Sequence, residues 1–467
     1  VFAKEPRYQG AGSSKIHPIQ VNNTWDVLVK NGMSVSYAQG YSVGKDKELE
    51  TALIKEACDV ARDKDVVYIF AGLPEGYESE GFDRTNLSLP ESQNRLIEAV
   101  AECNPKIVVI LFGGAPMELP WEDKVKGILL AYLGGEGVGK AVAKLLLGKA
   151  VPCGKLAETW PLHLSDNPSY SYFPGGRMTV EHRESIYVGY RYYEKAGKPV
   201  RYPFGHGLSY TSFTYSDLQL DKEECNYGDT VKVTFKITNN GAVAAKEIAL
   251  IFVSHQNDKV FLPVKELKEF NKVNLQPGES KLISVELDTM SFAYYNHIIH
   301  DWYAESGDYK IMIGPSSVNC TLEGEIRLNS PDQPQPDFRE IAPSYYRLLN
   351  QEFVISEQEF CNLYGSPLPE RDHKPSRPYD EGNTLEDISH TLIGKLIIKV
   401  ADQMSKKVTK ASKEEEGMMS SMIKEMPFHS LVTTSDGIIS EPMMEGIIDF
   451  LNGHYLKGIR KLFKKRL

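Results

Sequence analysis

Several large protein classes are excluded by what this chain lacks. Its six cysteines stand at 58, 103, 153, 225, 320 and 361, with no CxxC pair and no Cys/His grouping at metal-ligand spacing. That removes the common zinc patterns and any obvious disulfide framework, so buried reduced thiols acting as small apolar fillers are expected. Positive charge is not in excess either: 53 Lys and Arg face 63 Asp and Glu, for a formal net charge of -10. Nucleic acid is therefore not an expected partner, because phosphate binding needs a clustered basic surface. No apolar run approaches the roughly 20 residues of a membrane helix, and no membrane partner is expected. The first residues show no charged segment followed by an apolar core, so no export leader is read and a cytoplasmic location is expected. The chain does not begin with Met and opens in strand-like sequence, which points to a start further upstream and leaves a lost leader open. No internal repeat is visible.

What is present is an ordinary globular composition, 41% hydrophobic and 25% charged over 467 residues, long enough for two to four domains with cores of their own. From 1 to 160, strand-like runs at 33–37, 66–71, 106–112 and 127–132 alternate with helical spacing at 48–62, 91–102 and 138–147. Near-continuous apolar strands between helices predict an α/β domain with a mostly parallel sheet. Residues 161–215 are rich in Pro, Gly and Tyr and read as an ordered connection. Strict alternation then places Val231, Val233, Phe235 and Ile237 on one face, and recurring turn signals predict an immunoglobulin- or fibronectin-like sandwich over 216–330. Residues 331–467 predict a helical extension, with capping boxes at Ser356–Glu359 and Thr384–Asp387. Its last helix, 457–466, is basic and is expected to be solvated or docked.

One stretch carries the chemistry: residues 72–84, GLPEGYESEGFDR, place four carboxylates directly after a predicted strand, at the sheet edge where ligands of open α/β folds sit. A glycosidase acid must hold a proton, give it to a leaving oxygen and then act as base, which suits a glutamate on such a loop. Neighbouring carboxylates would raise its pKa, and Arg84 would lower that of whichever partner it pairs with. The plainer reading is a solvated acidic loop with an Asp83–Arg84 surface pair. Two other motifs are weaker. Gly134 to Ala141 satisfies GxxxxGK, yet Ala141 stands where a phosphate loop needs a Mg²⁺-binding hydroxyl. Asp436 in TTSDG reads as a cap or turn residue rather than a nucleophile.

The landmarks in their order resemble the C-terminal half of family-3 glycoside hydrolases, the β-glucosidase and β-xylosidase group. The matching stretches are PRYQGAGSS at 6–14, EGFDR at 80–84 with NLSLP at 86–90, the run 108–121, VGYRYY at 188–193 and PFGHGLSYT at 203–211, with LQPGES at 275–280 in the later domain. The resemblance implies an (α/β)6 sandwich of six repeats followed by a fibronectin type III-like module. It maps the general acid/base onto Glu80, with Glu78 as the fallback and Glu75 as a supporting or solvated carboxylate. Arg7 and Gln9 become hydroxyl contacts on a loop facing the substrate. No metal or organic cofactor is implied.

The chain departs from the complete family pattern in one respect. Enzymes of this family place the nucleophilic aspartate on a (β/α)8 barrel preceding the sandwich, and no such barrel is read here. The expected partners are thus an oligosaccharide or an aryl or alkyl β-glycoside, and a barrel in cis or in trans; oligomer formation is left open. The implied function is the acid/base-bearing part of a retaining β-glycosidase for terminal β-D-glucosides or xylosides, with little turnover by this chain alone. The rival is a non-catalytic carbohydrate-binding or scaffold protein.

Overall fold

The computed structural model describes residues 1–467 apart from 43–46, 81–82, 177–178, 256, 258, 349–352, 370–374, 400–419, 421, 435–438 and 463–467. Gly81 and Phe82 of EGFDR, Asp436 of TTSDG and the end of the basic C-terminal helix therefore lie outside the described residues.

The first domain opens with α1 (Thr24–Lys30), whose first turn is capped by the Asn23 side chain, and α2 (Lys47–Ala61). Three parallel strands follow in the order β1 (Val67–Gly72), β2 (Ile107–Phe112) and β3 (Gly127–Leu130), interleaved with α3 (Glu91–Cys103) and α4 (Val138–Leu146). Alternation along the strands divides the core in two. Ile69, Ala71, Val109 and Leu111 pack with α2 and α3, whereas Phe70, Ile110 and Phe112 pack with Val138 and Val142 of α4. With helices on both faces, the central strand β2 is apolar throughout, as burial on both sides demands. The three strands are half of the six repeats that the resemblance implies. The strand expected at 33–37 does not form; these residues lie outside any strand or helix. Tyr37 stacks edge-on against Trp25, and Lys4 Nζ lies 3.7 Å from its ring centroid, so its apolar surface is covered without strand pairing.

A connection holding the short strands β4 (Trp160–Pro161) and β5 (Val200–Tyr202) and the helix α5 (Tyr190–Ala196) leads to a sandwich. One sheet of the sandwich contains β6 (Phe213–Leu220), β8 (Val231–Asn239) and β11 (Ser280–Leu287). The other contains β7 (Glu224–Asn226), β9 (Ala245–His255), β10 (Glu266–Leu275), β14 (Gly307–Gly314) and β15 (Leu322–Asn329), and β12 (Tyr294–Asn296) pairs with β13 (Asp301–Tyr303). Val231, Val233, Phe235 and Ile237 all face the core, as their alternation requires.

The PFGHGLSYT stretch is the seam between the two domains. Leu156 N–H donates to His206 O and Gly205 N–H to Leu156 O, while Ser317 N–H donates to Phe204 O. A Cβ on Gly207 would lie 2.3 Å from Gly154 O, so only glycine permits that approach. Beside it, Lys155 Nζ pairs with Glu247 Oε1 at 3.1 Å, with side chains 10% and 6% exposed. Tyr215 Oη donates to the same carboxylate oxygen at 2.8 Å.

Beyond the sandwich the chain returns to the connection. Tyr172, Tyr187, Tyr192 and Tyr193 share one aromatic core with Tyr345, Phe353 and Ile355. α6 (Glu357–Tyr364) is capped by the Ser356 hydroxyl, which accepts from Glu359 N–H, and it ends at the left-handed Gly365. Thr384 and Asp387 make the reciprocal bonds of a capping box, but around a turn rather than an α-helix. Near the end, the helices Glu441–Leu451 and Tyr455–Leu462 cross at Gly446 and Gly458, where a Cβ on either would lie within 3 Å of the other's carbonyl oxygen.

Candidate active site at the carboxyl edge of the parallel sheet

Because β1 and β2 are parallel, their following loops emerge at one edge. The strand ends are pinned together: Leu73 N–H donates to Phe112 O at 2.8 Å, and a Cβ on Gly72 would lie 1.9 Å from the same oxygen. Residues 73–80 leave one strand and residues 113–118 the other. A third segment, 7–15, crosses to meet them.

Arg7 ties the three together. Its Nη1 donates to Leu73 O at 2.6 Å and its Nη2 to Glu78 O at 3.3 Å. The same guanidinium pairs with Glu78 Oε1 at 3.3 Å, with side chains 4% and 16% exposed. Gly114 N–H donates to that oxygen at 2.7 Å, so Glu78 joins the exit of β2 to the segment leaving β1. Burial pulls the pKa of Arg7 down, against the field of Glu78 and then Glu75. Arg84 behaves alike: burial lowers its pKa while Glu78 and Glu118 oppose, and its Nη1 donates to Pro116 O at 3.0 Å. No Asp83–Arg84 ion pair is found among the described residues. Glu75 pairs with Lys15 at 3.5 Å.

Glu80 is exposed and lies against the 12–13 turn. Ser13 Oγ donates to its Oε1 at 2.6 Å and Ser13 N–H to its Oε2 at 2.5 Å. Those two bonds, the hydroxyl first, hold the Glu80 carboxyl below the usual glutamate range. The rise expected from neighbouring carboxylates is thus reversed, because like charges repel weakly in solvent while two donors favour the anion directly. Gln9 serves its own loop: its Oε1 accepts from Ile16 N–H at 2.9 Å, and its Nε2 donates to Ile16 O at 3.1 Å and Tyr8 Oη at 3.0 Å.

Glu75, Glu78, Glu80, Arg7 and Arg84 therefore converge at one edge. The residues that sequence reasoning missed are Ser13, which grips Glu80, Gly12, whose missing side chain leaves room for it, and Gly114, which grips Glu78. The pattern GAGSS, small residues with hydroxyls beside glycines, was the available signal for the first pair. The GxxxxGK stretch is a packed turn that braces the 7–15 segment. Gly135 N–H donates to Tyr8 O at 2.8 Å, and a Cβ on Gly139 would lie 2.3 Å from Asn22 O, so its glycines serve close backbone contact. All six cysteines are free thiols. Among the described residues no group of three or more His, Cys, Asp or Glu could hold a metal ion, and no helix is long and apolar enough to cross a membrane.

Residues 2–210 match the model of the glycosyl hydrolase family 3 C-terminal domain, and residues 247–317 match that of the fibronectin type III-like domain. The chain belongs to glycosyl hydrolase family 3. This family-3 chain is 40% identical over 459 residues to thermostable beta-glucosidase B of Acetivibrio thermocellus, covering 97% of this chain and 55% of that protein. It is 40% identical over 336 residues to an exo-alpha-(1->6)-L-arabinopyranosidase of Bifidobacterium breve, covering 72% of this chain and 44% of the relative. Among solved structures, the family-3 beta-glucosidase of Bifidobacterium adolescentis superposes with a TM-score of 0.66 at 34% identity, over 85% of this chain and 52% of that one. Beta-glucosidase 3B of Thermotoga neapolitana, in complex with alpha-D-glucose, gives 0.62 at 30% identity, over 72% and 50%. The family-3 chain thus spans about half the length of these relatives.

Proposed function

We propose that this chain is the acid/base-bearing part of a retaining β-glycosidase that removes terminal β-D-glucosyl or xylosyl residues. The nucleophile would come from a (β/α)8 barrel in cis or in trans. The observation that carries the reading is the convergence of segments 7–15, 73–80 and 113–118 around Glu78 and Glu80 at the sheet's carboxyl edge, in a chain whose relatives are named as glycosidases. The arabinopyranosidase among them extends the sugar class to pentopyranoses.

The two glutamates divide the work by their surroundings. Glu78 is anchored, because its carboxylate answers the buried charge of Arg7 and accepts from Gly114. Glu80 is exposed and, held among the described residues only by Ser13, can be reached by a glycosidic oxygen from solvent. In retention the acid protonates the leaving oxygen while a nucleophile about 5 Å away attacks the anomeric carbon, and the resulting carboxylate then takes a proton from water. This chain offers the proton-transfer partner. Arg7 acts beneath it, holding the loop to the sheet. The second reading, a non-catalytic carbohydrate-binding or scaffold protein, is favoured by one observation: Glu80 is held as an anion, the opposite of a resting acid.

The test is hydrolysis of aryl β-glucosides by the 467-residue chain alone and after mixing with the barrel half of the Acetivibrio thermocellus relative. Background rates alone, with hydrolysis in the mixture that Glu80→Gln lowers by about 10²- to 10⁴-fold, support the proposal. Leaving groups that need no protonation should lose less. Robust hydrolysis without a barrel, or indifference to Glu80→Gln, would overturn it.

A further inference from the structure

The grip of residues 12–13 on Glu80 has the marks of a built receptor. Gly12 takes φ of +90°, and a Cβ there would lie 2.4 Å from Glu80 Oε2 and 2.8 Å from Cγ and Cδ. Conformation and space both demand glycine at that point. The loop also has bonds that do not involve Glu80: Gln9 ties 9 to 16 through both ends of its carboxamide, and Lys15 N–H closes a turn on Gly12 O at 3.2 Å. Glu80 itself is exposed, so these bonds do not rescue a buried charge. A solvated carboxylate on a loop gains position from them, and the hydroxyl bond has the length of a charge-assisted one.

We propose that Gly12 and Ser13 are positioning residues for Glu80, forming a two-pronged receptor whose hydroxyl reverses from donor to acceptor when the carboxyl takes up a proton. The role of Glu80 in proton transfer rests on the function proposed above; the receptor does not. The chemistry follows from the two donors. A backbone N–H only donates, so Oε2 must stay an acceptor, whereas a serine hydroxyl can do either. The proton is therefore carried on Oε1, as Oε1–H donating to Ser13 Oγ. For transfer to a leaving oxygen the Oε1–H first turns out of its bond to Ser13 Oγ; the Oε1–H bond then breaks, its electron pair stays on the carboxylate, and Ser13 Oγ–H turns back to donate to Oε1. Glu80 keeps one pose through both halves of the cycle.

Carbon-13 labelling of glutamate side chains, with the Glu80 signal identified by its loss in Glu80→Gln, gives the titration of this carboxyl in the chain as it stands. In the parent its midpoint should lie below the ordinary glutamate value of about 4.3. Ser13→Ala should shift it upward, Ser13→Thr should keep it low, and Gly12→Ala should shift it upward although the hydroxyl remains. Equal midpoints in parent, Ser13→Ala and Gly12→Ala would overturn the receptor, as would an upward shift in Ser13→Thr equal to that in Ser13→Ala. If Ser13→Ala does not fold, the Thr and Gly12 variants decide alone. None of these readouts involves turnover, so a chain that never hydrolyses a glycoside sinks the proposed function and leaves the receptor standing.

Discussion

Replacing Arg7 with Met keeps much of the aliphatic stem and removes the guanidinium, which asks how much of the site is held by one buried cation. Three contacts are lost: the bond to Leu73 O, the bond to Glu78 O and the ion pair with the Glu78 carboxylate. Breaking a buried pair costs about 3–5 kcal/mol. Glu78 is 16% exposed and keeps its bond from Gly114, so water and that amide recover part, and the lower end of the range, about 3 kcal/mol, is expected. For a domain of this size that is a fall in Tm of about 6–12 °C. Urea unfolding followed by tryptophan fluorescence suits the measurement, since Trp121 and Trp160 are fully buried in the α/β core and Trp302 of the sandwich can be silenced as Phe. A cycle with Glu78→Gln should show a coupling of about 1–3 kcal/mol. A loss under about 1 kcal/mol for Arg7→Met, with coupling within about 0.5 kcal/mol of zero, would refute the view that this pair holds the loop to the sheet.

Three further outcomes are expected. Glu247→Gln should destabilise the domain seam by about 3–5 kcal/mol by stranding Lys155, and Lys155→Met with Glu247→Leu should be milder; chemical denaturation of the set decides. His206 is stacked on Tyr202 at 4.7 Å, and burial, then Lys155, lowers its pKa. The unfolded chain therefore takes up a proton that the folded chain refuses, so stability should fall as pH drops below about 6.5 and level off beneath the folded value; His206→Gln should flatten that slope between pH 7 and 5. Burial, then a hydrogen bond with Cys103, pushes the Cys58 thiol up to about 11. At pH 8 it should react with a thiol reagent more slowly than an ordinary cysteine, and mass spectrometry of partly labelled protein would show Cys58 modified early if this is wrong.

What could be read from the sequence divides by the range of the interactions involved. β2 was legible because a strand covered on both faces must be apolar at every position. The sandwich strand Val231–Asn239 was legible because its alternation leaves one orientation for the core. The run at 33–37 carried a strand-like pattern, yet pattern does not fix pairing: Met33 stays exposed, and Trp25 with Lys4 covers Tyr37 where a neighbouring strand would have. The Thr384–Asp387 box formed around a turn for a related reason, since its bonds span three residues and need no helix beyond them. At the candidate site, the acidic loop announced itself by charge density after a strand. Its chemistry did not, because the residue that sets the protonation of Glu80 lies 67 positions earlier and only the fold brings the two together.

The return of the chain after the sandwich constrains how the protein is made. Tyr172 is bonded through its hydroxyl to both the carbonyl and the amide of Ile355, 183 residues later. At about 5–20 residues per second a ribosome needs roughly 10–40 s to cover that distance. Throughout that interval the tyrosines of the connection have emerged without their lid, and the sandwich is born between two halves of a core that cannot yet close. Nascent chains stalled before Ile355 should therefore bind hydrophobic dyes and engage chaperones, and release of the next few dozen residues should end both.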